Sequence, residues 1–267
     1  MKALVVGAPL ISFFALAFSL SWAVMIPMVL LHGPPQWMIL ATFGPTIAAL
    51  AVSRVATGSY NFWMASAGSI KWIRQVSAAV AGVALVVIAY VVLPVIVTAD
   101  PTKLNWSILL SLQVFNYSTL LGGPIGEEVG WTGYASPRMQ KRYGPLLGVP
   151  LLGVLWALWH LPLFLRPGFY STPFGIYLFI VIGLRLLIAT CANWSGLGIA
   201  VAILMHAAFN TSSRWLGGLF TDAQPQSWLP FELVMALAGL AVAAIVVVWT
   251  RGRLAYPPDH SSRGFAG

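Results

Sequence analysis

Charge is what this sequence has least of. Only 7% of its 267 residues are Asp, Glu, Lys or Arg, against roughly a quarter in an ordinary soluble domain, which excludes a chain folded around one core with a water-facing surface. Acids are scarcest, six against fourteen Lys and Arg. The formal charge of +8 does not imply a nucleic-acid partner, because the bases stand scattered between apolar runs and form no patch. One cysteine, Cys191, lies inside an apolar run, which excludes an intrachain disulfide and a cysteine-rich metal site; it reads as a small buried side chain. Neither G-x-S-x-G nor H-E-x-x-H occurs. There is no repeat period and no long linker, so residues 1–255 are expected to form a single transmembrane domain, followed by a disordered tail over 256–267.

What is present is apolar. The chain is 59% hydrophobic with a mean hydropathy of +0.87 and 12 Trp, and indoles settle at membrane–water boundaries. A bilayer core needs about 20 apolar residues per helix. Eight runs qualify, near 8–31, 37–56, 76–98, 106–126, 145–165, 174–192, 196–213 and 229–250. The first is far longer than a signal-peptide core of about 7–15 residues and reads as a retained span. The fold class expected is all-α, a polytopic membrane bundle of about eight helices. With eight spans both termini share a side. That side collects ten bases: Lys2, Arg54, Lys71, Arg74, Arg138, Lys141, Arg142, Arg251, Arg253 and Arg263. The other side holds three, Lys103, Arg166 and Arg214, so both termini are expected in the cytoplasm. Arg185 falls inside the sixth run and needs a partner, a cavity or a route to snorkel.

Two of the six acids stand together in "GGPIGEEVGWTGY", as Glu127 and Glu128. An acid at the centre of a membrane helix costs roughly 2.5–3.5 kcal/mol, so the pair needs an offset: a helix N-terminus, a hydrated cavity, or a cation or metal. Pro124 suits a first helical turn, and a helix restarting after Gly122–Gly123 places both glutamates near its positive end. By themselves the two could simply cap a helix at the interface. "GVLWALWHLPLFLRP" places His160 in the middle of the fifth run, and "GIAVAILMHAAFNTS" places His206 in the seventh, with Asn210 four residues on and therefore on the same helix face. A lone histidine on an apolar face is most often a hydrogen-bonded core residue. Taken together, Glu, two His and Asn have two chemical readings. A carboxylate takes a proton from water, imidazole shares it, and a His–Asn pair donates to an oxyanion. Alternatively Glu127, His160 and His206 are the ligands of a catalytic zinc. Consecutive residues point about 100° apart on a helix, so one glutamate is expected to do chemistry and the other to brace a neighbour or orient a ligand. Intramembrane acids and histidines also mark proton-coupled transporters, but those often show paired broken helices, and only one break is visible, at 122–126.

The segments "EEVGWTGYASPRMQ", "LLGVLWALWHLPLF" and "ILMHAAFNTS" resemble the three signature stretches of the CPBP intramembrane proteases, the type II CAAX prenyl endopeptidase and bacteriocin-processing family. The resemblance runs from Glu127 to Asn210 in the family's order. It implies an endopeptidase acting on a membrane-associated or lipidated peptide or protein in a bacterial plasma membrane. It implies that Glu127 and His160 activate water, that His206 and Asn210 stabilise the oxyanion, and that Glu128 supports them. It leaves a zinc cofactor or none equally open, includes catalytically inactive immunity-type relatives, and carries no oligomeric state. Two positions depart from the family pattern. Thr132 stands where an arginine is usual, leaving Glu128 to another cation, Arg185 or Arg138, and Trp156 stands where many members have Phe.

Overall fold

The computed structural model describes residues 2–60, 72–98, 104–105, 107, 120–170, 172–196, 198–219 and 228–257. These are helical, with no strand among them. A short α1 (Lys2–Gly7) leads into α2 (Pro9–Leu30); α3 (Trp37–Thr42) and α4 (Gly44–Thr57) are two parts of one span joined at Phe43. Helix α5 (Trp72–Val87) passes through a π-helical stretch, Ile88–Val92, into α6 (Leu93–Thr98). The glutamates lie on α7 (Pro124–Glu128), which continues through a second π-helical stretch, Val129–Ala135, into α8 (Ser136–Tyr143). Then come α9 (Pro145–Trp159), α10 (Phe174–Trp194), α11 (Ile199–Leu219) and α12 (Trp228–Trp249).

Five helical segments are long and apolar enough to cross a membrane: Pro9–Leu30, Trp37–Thr57, Trp72–Thr98, Phe174–Trp194 and Phe231–Trp249. Two shorter apolar helices, Pro145–Trp159 and Ile199–Ser212, accompany them. The expected run at 106–126 falls mostly outside the described residues, as do Lys103 and the tail beyond Pro257. One placement needs correcting. His160 is not in mid-span: α9 ends at Trp159, and the chain tightens into a 3-10 turn over Leu161–Leu165. Pro162 explains this, because its ring would collide with the Leu158 carbonyl in a continued α-helix and it has no N–H to donate.

Helix α10 is the hub of the bundle, packed against α5, α9, α11 and α12. Small residues let the neighbours close on it. Tyr90, at the first π stretch, lays its ring over Gly183 and Gly239 and donates to the Ile180 carbonyl at 3.1 Å. Close packing at glycines replaces the hydrophobic drive that a lipid solvent does not supply. Two amide side chains tie the far end of α8 to α10: Asn193 donates to Gln140 Oε1 at 2.8 Å and to the Leu254 carbonyl at 2.9 Å.

The break before α7 is held by α3 and α4. Pro124 occupies the first helical turn, with Gly123 in front of it. Thr46 donates its hydroxyl to the Gly126 carbonyl at 2.6 Å and Thr42 donates to the Leu121 carbonyl at 3.3 Å, so carbonyls that would be costly in hydrocarbon have partners inside the protein. Gly126 and Gly130, four apart, sit flush on the α3–α4 joint: a Cβ on Gly126 would lie 2.8 Å from the Thr42 carbonyl, and one on Gly130 would lie 2.5 Å from that of Pro45. Any side chain at either glycine would push α7 away from its clamp.

Candidate active site

The two glutamates are both buried, at 2% and 0% exposure, and they face different ways. Glu127 lines a cavity of about 700 Å³ that also touches His160, His206 and Asn210. Its Oε2 accepts the indole N–H of Trp156 at 2.6 Å and that of Trp131 at 3.3 Å. Glu128 turns into protein. Arg185, fully buried, donates to both of its oxygens at 2.9 and 3.0 Å, Thr132 donates its hydroxyl to Oε2, and His206 Nδ1 lies 2.9 Å from Oε1. The 100° step between consecutive helical residues thus separates their surroundings, Glu127 on the cavity and Glu128 against Arg185 and His206. Neither glutamate is an exposed cap at a helix end, since both side chains are almost fully buried.

Each histidine is oriented through Nδ1. That of His160 is 2.9 Å from the Trp156 carbonyl; a carbonyl only accepts, so Nδ1 carries the proton and Nε2 of the neutral ring is left as an acceptor. Aromatic rings box it in: Trp159 at 4.6 Å and Tyr177 at 5.4 Å between centroids, both edge-on. His206 donates through Nδ1 to Glu128, which turns its Nε2 the other way. Asn210, one turn further along α11, shares that face.

The polar atoms meet beside Gly123. A Cβ built on that glycine would lie 3.1 Å from Glu127 Oε1, 3.2 Å from Asn210 Nδ2 and 3.4 Å from His206 Nε2. The absence of a side chain therefore opens a point bounded by one base and two nitrogens. All five residues singled out from the sequence are thus at or directly behind one cavity. The proposed zinc set is not assembled: among the described residues no three His, Cys, Asp or Glu side chains gather closely enough to hold one ion, Glu127, His160 and His206 included.

Sequence reasoning missed the two indole donors. Trp131 lies four residues after Glu127, as Thr132 does after Glu128, a spacing that puts both on the glutamates' own helix faces. Trp156 carried no such signal. It is the centre of the site, bonded to Glu127, with its ring 5.0 Å from that of His206 and 4.6 Å beneath the Arg185 guanidinium carbon. Of the two cations considered for Glu128, Arg185 makes the contact; Arg138 instead lies 3.8 Å over the Tyr134 ring and donates to the Tyr134 carbonyl.

Fold and site define a class: a polytopic helical membrane protein with a carboxylate- and imidazole-lined cavity inside its bundle. Residues 105–212 match the family model described as Rce1-like, type II CAAX prenyl endopeptidase Rce1-like. The chain is also similar to CAAX prenyl protease 2 of Methanococcus maripaludis, 28% identical over 152 residues that take in 46% of this chain and 56% of that protein. It therefore spans about half the length of the curated relative it matches. Over residues 105–212, which contain every site residue named above, the chain is similar to the Rce1-like family.

Proposed function

We propose that the protein is an intramembrane endopeptidase that hydrolyses a peptide bond of a membrane-associated or lipidated peptide or protein. The observation that carries this reading is the convergence of Glu127 Oε1, His206 Nε2 and Asn210 Nδ2 beside Gly123. Glu127 takes a proton from a water that His160 Nε2 orients by accepting its other hydrogen. The hydroxide attacks the scissile carbonyl carbon, and the carbonyl oxygen becomes an oxyanion held by the Asn210 amide and by the Nε2–H of His206. In this step His206 donates from Nε2 while its Nδ1–H is held by the Glu128 carboxylate. The tetrahedral intermediate then collapses, the C–N bond breaks, and the proton on Glu127 passes to the leaving amine. The two indole donors hold Glu127 Oε2, so that Oε1 alone meets the water.

The test is cleavage of membrane-associated peptides, prenylated and unmodified, by purified protein beside Glu127→Gln. Turnover by the wild type and none by the variant supports the reading; equal turnover overturns it. Metal content of the same preparation separates the two chemistries, since full activity in metal-free protein removes the zinc scheme. Reporter fusions at the two ends test the cytoplasmic placement of both termini in a plasma membrane.

A further inference from the structure

Arg185 makes no contact with the reacting atoms, yet it meets both the Glu128 carboxylate and the Trp156 ring. Arg185 is completely buried in the middle of α10. Gly153 on α9 lets α10 approach closely one turn before Arg185, since a Cβ there would lie 3.1 Å from the Ile182 Cα. Its Nη2 donates to both Glu128 oxygens and its Nη1 to the Thr132 hydroxyl at 3.2 Å, which in turn donates to Glu128. Through Glu128 it reaches Nδ1 of His206. Its guanidinium carbon lies 4.6 Å over the Trp156 ring, and through that indole N–H it reaches Glu127 Oε2. One guanidinium thus abuts both the carboxylate that turns the oxyanion histidine and the indole that turns the base.

We infer that Arg185 is a positioning residue that sets the orientation of Glu127 and His206 together, so that base and oxyanion donor are fixed by one buried cation. This rests on the protease reading for its consequence in catalysis, though not for its consequence in geometry. A packing role alone would make Arg185 matter to the amount of folded protein and not to the rate of each folded molecule. A positioning role makes it matter to kcat. Lysine cannot replace it fully, because an ammonium has one nitrogen where Arg185 uses two, Nη2 on Glu128 and Nη1 on Thr132.

The experiment compares Arg185→Met, Arg185→Lys and the double variant Thr132→Arg/Arg185→Met in the full chain, with rates expressed per folded molecule. Arg185→Met is expected to lower kcat by about 10–100-fold, the usual consequence of removing a group that orients a reacting side chain, with KM nearly unchanged. Arg185→Lys folds with its charge retained and loses less of the same parameter. The double variant returns a guanidinium to Glu128 from the glutamate's own helix and recovers part of kcat. Wild-type kcat per folded molecule in Arg185→Lys overturns the inference even if Arg185→Met fails to fold. A second readout needs no substrate: solvent exchange of the His206 Nδ1–H, followed in 15N-histidine-labelled protein, is slow in the wild type and faster in Arg185→Lys. If the wild type cleaves nothing, the protease reading fails while this exchange still decides the positioning one. Exchange unchanged by the substitution overturns it.

Discussion

Two carboxylates separated by one peptide bond occupy opposite kinds of surroundings. On the cavity side, Glu127 is met by two neutral indole donors on one oxygen, with the other turned toward Gly123. On the packed side, Glu128 is met by a guanidinium, a hydroxyl and an imidazole, and it does not line the cavity that Glu127 faces. A buried acid with a paired cation is a structural commitment, because removing either partner strands the other. A buried acid held only by neutral donors keeps an oxygen to exchange a proton. The fork between them is the 100° step of a helix.

Substitutions can break that contrast. The largest effect is expected from Glu127→Gln, which keeps shape and the indole bonds but removes the base: turnover vanishes while the melting temperature stays close to the wild type, both measured on one preparation. Asn210→Ala comes next, with a rate lower by about 10²–10³-fold, the scale for losing one oxyanion donor, read from kcat with KM as control. Glu128→Gln reverses the pattern. It leaves Arg185 buried opposite an amide and is expected to lower stability by about 3–5 kcal/mol, seen in thermal unfolding in detergent. If the two glutamine variants behaved alike, the division between cavity side and packed side would be wrong. Trp156→Phe is the finest probe. It keeps most of the ring under Arg185 and removes the shorter of the two hydrogen bonds on Glu127 Oε2, so kcat per folded molecule is expected to fall by about tenfold, the low end for losing a group that orients a reacting side chain.

Much of this architecture is legible in the apolar runs because a bilayer dictates their length. The break at Gly122–Pro124 is legible too, since two glycines followed by proline both end a helix and start one. The site was readable as a set, because Glu127, Glu128, His160, His206 and Asn210 are polar residues that a membrane chain does not keep without cause. What stayed hidden is non-local. Nothing in the sequence selects Arg185 over Arg138 for Glu128, since the contact spans 57 positions and depends on how α10 lies against α9. The indole of Trp156 was likewise read as a bulky ring standing in for phenylalanine, whereas its N–H is the shorter of the two bonds to Glu127. The end of α9 was misplaced although Pro162 announces it, because apolar continuity through Leu165 masked the change of helix type.

The π-helical stretch Val129–Ala135 behaves as a phase shifter between two fixed ends. Upstream, Gly126 is clamped on the α3–α4 joint; downstream, Gln140 is locked to Asn193. The wide turn is the one spare residue that lets both ends be satisfied at once. Deleting a single residue there would let the stretch rewind as an ordinary α-helix, and everything beyond it would rotate by about 100°. Gln140 would then face away from α10, or the glutamates would turn from the cavity. The segment is a vernier whose setting couples the anchorage of α8 to the aim of Glu127.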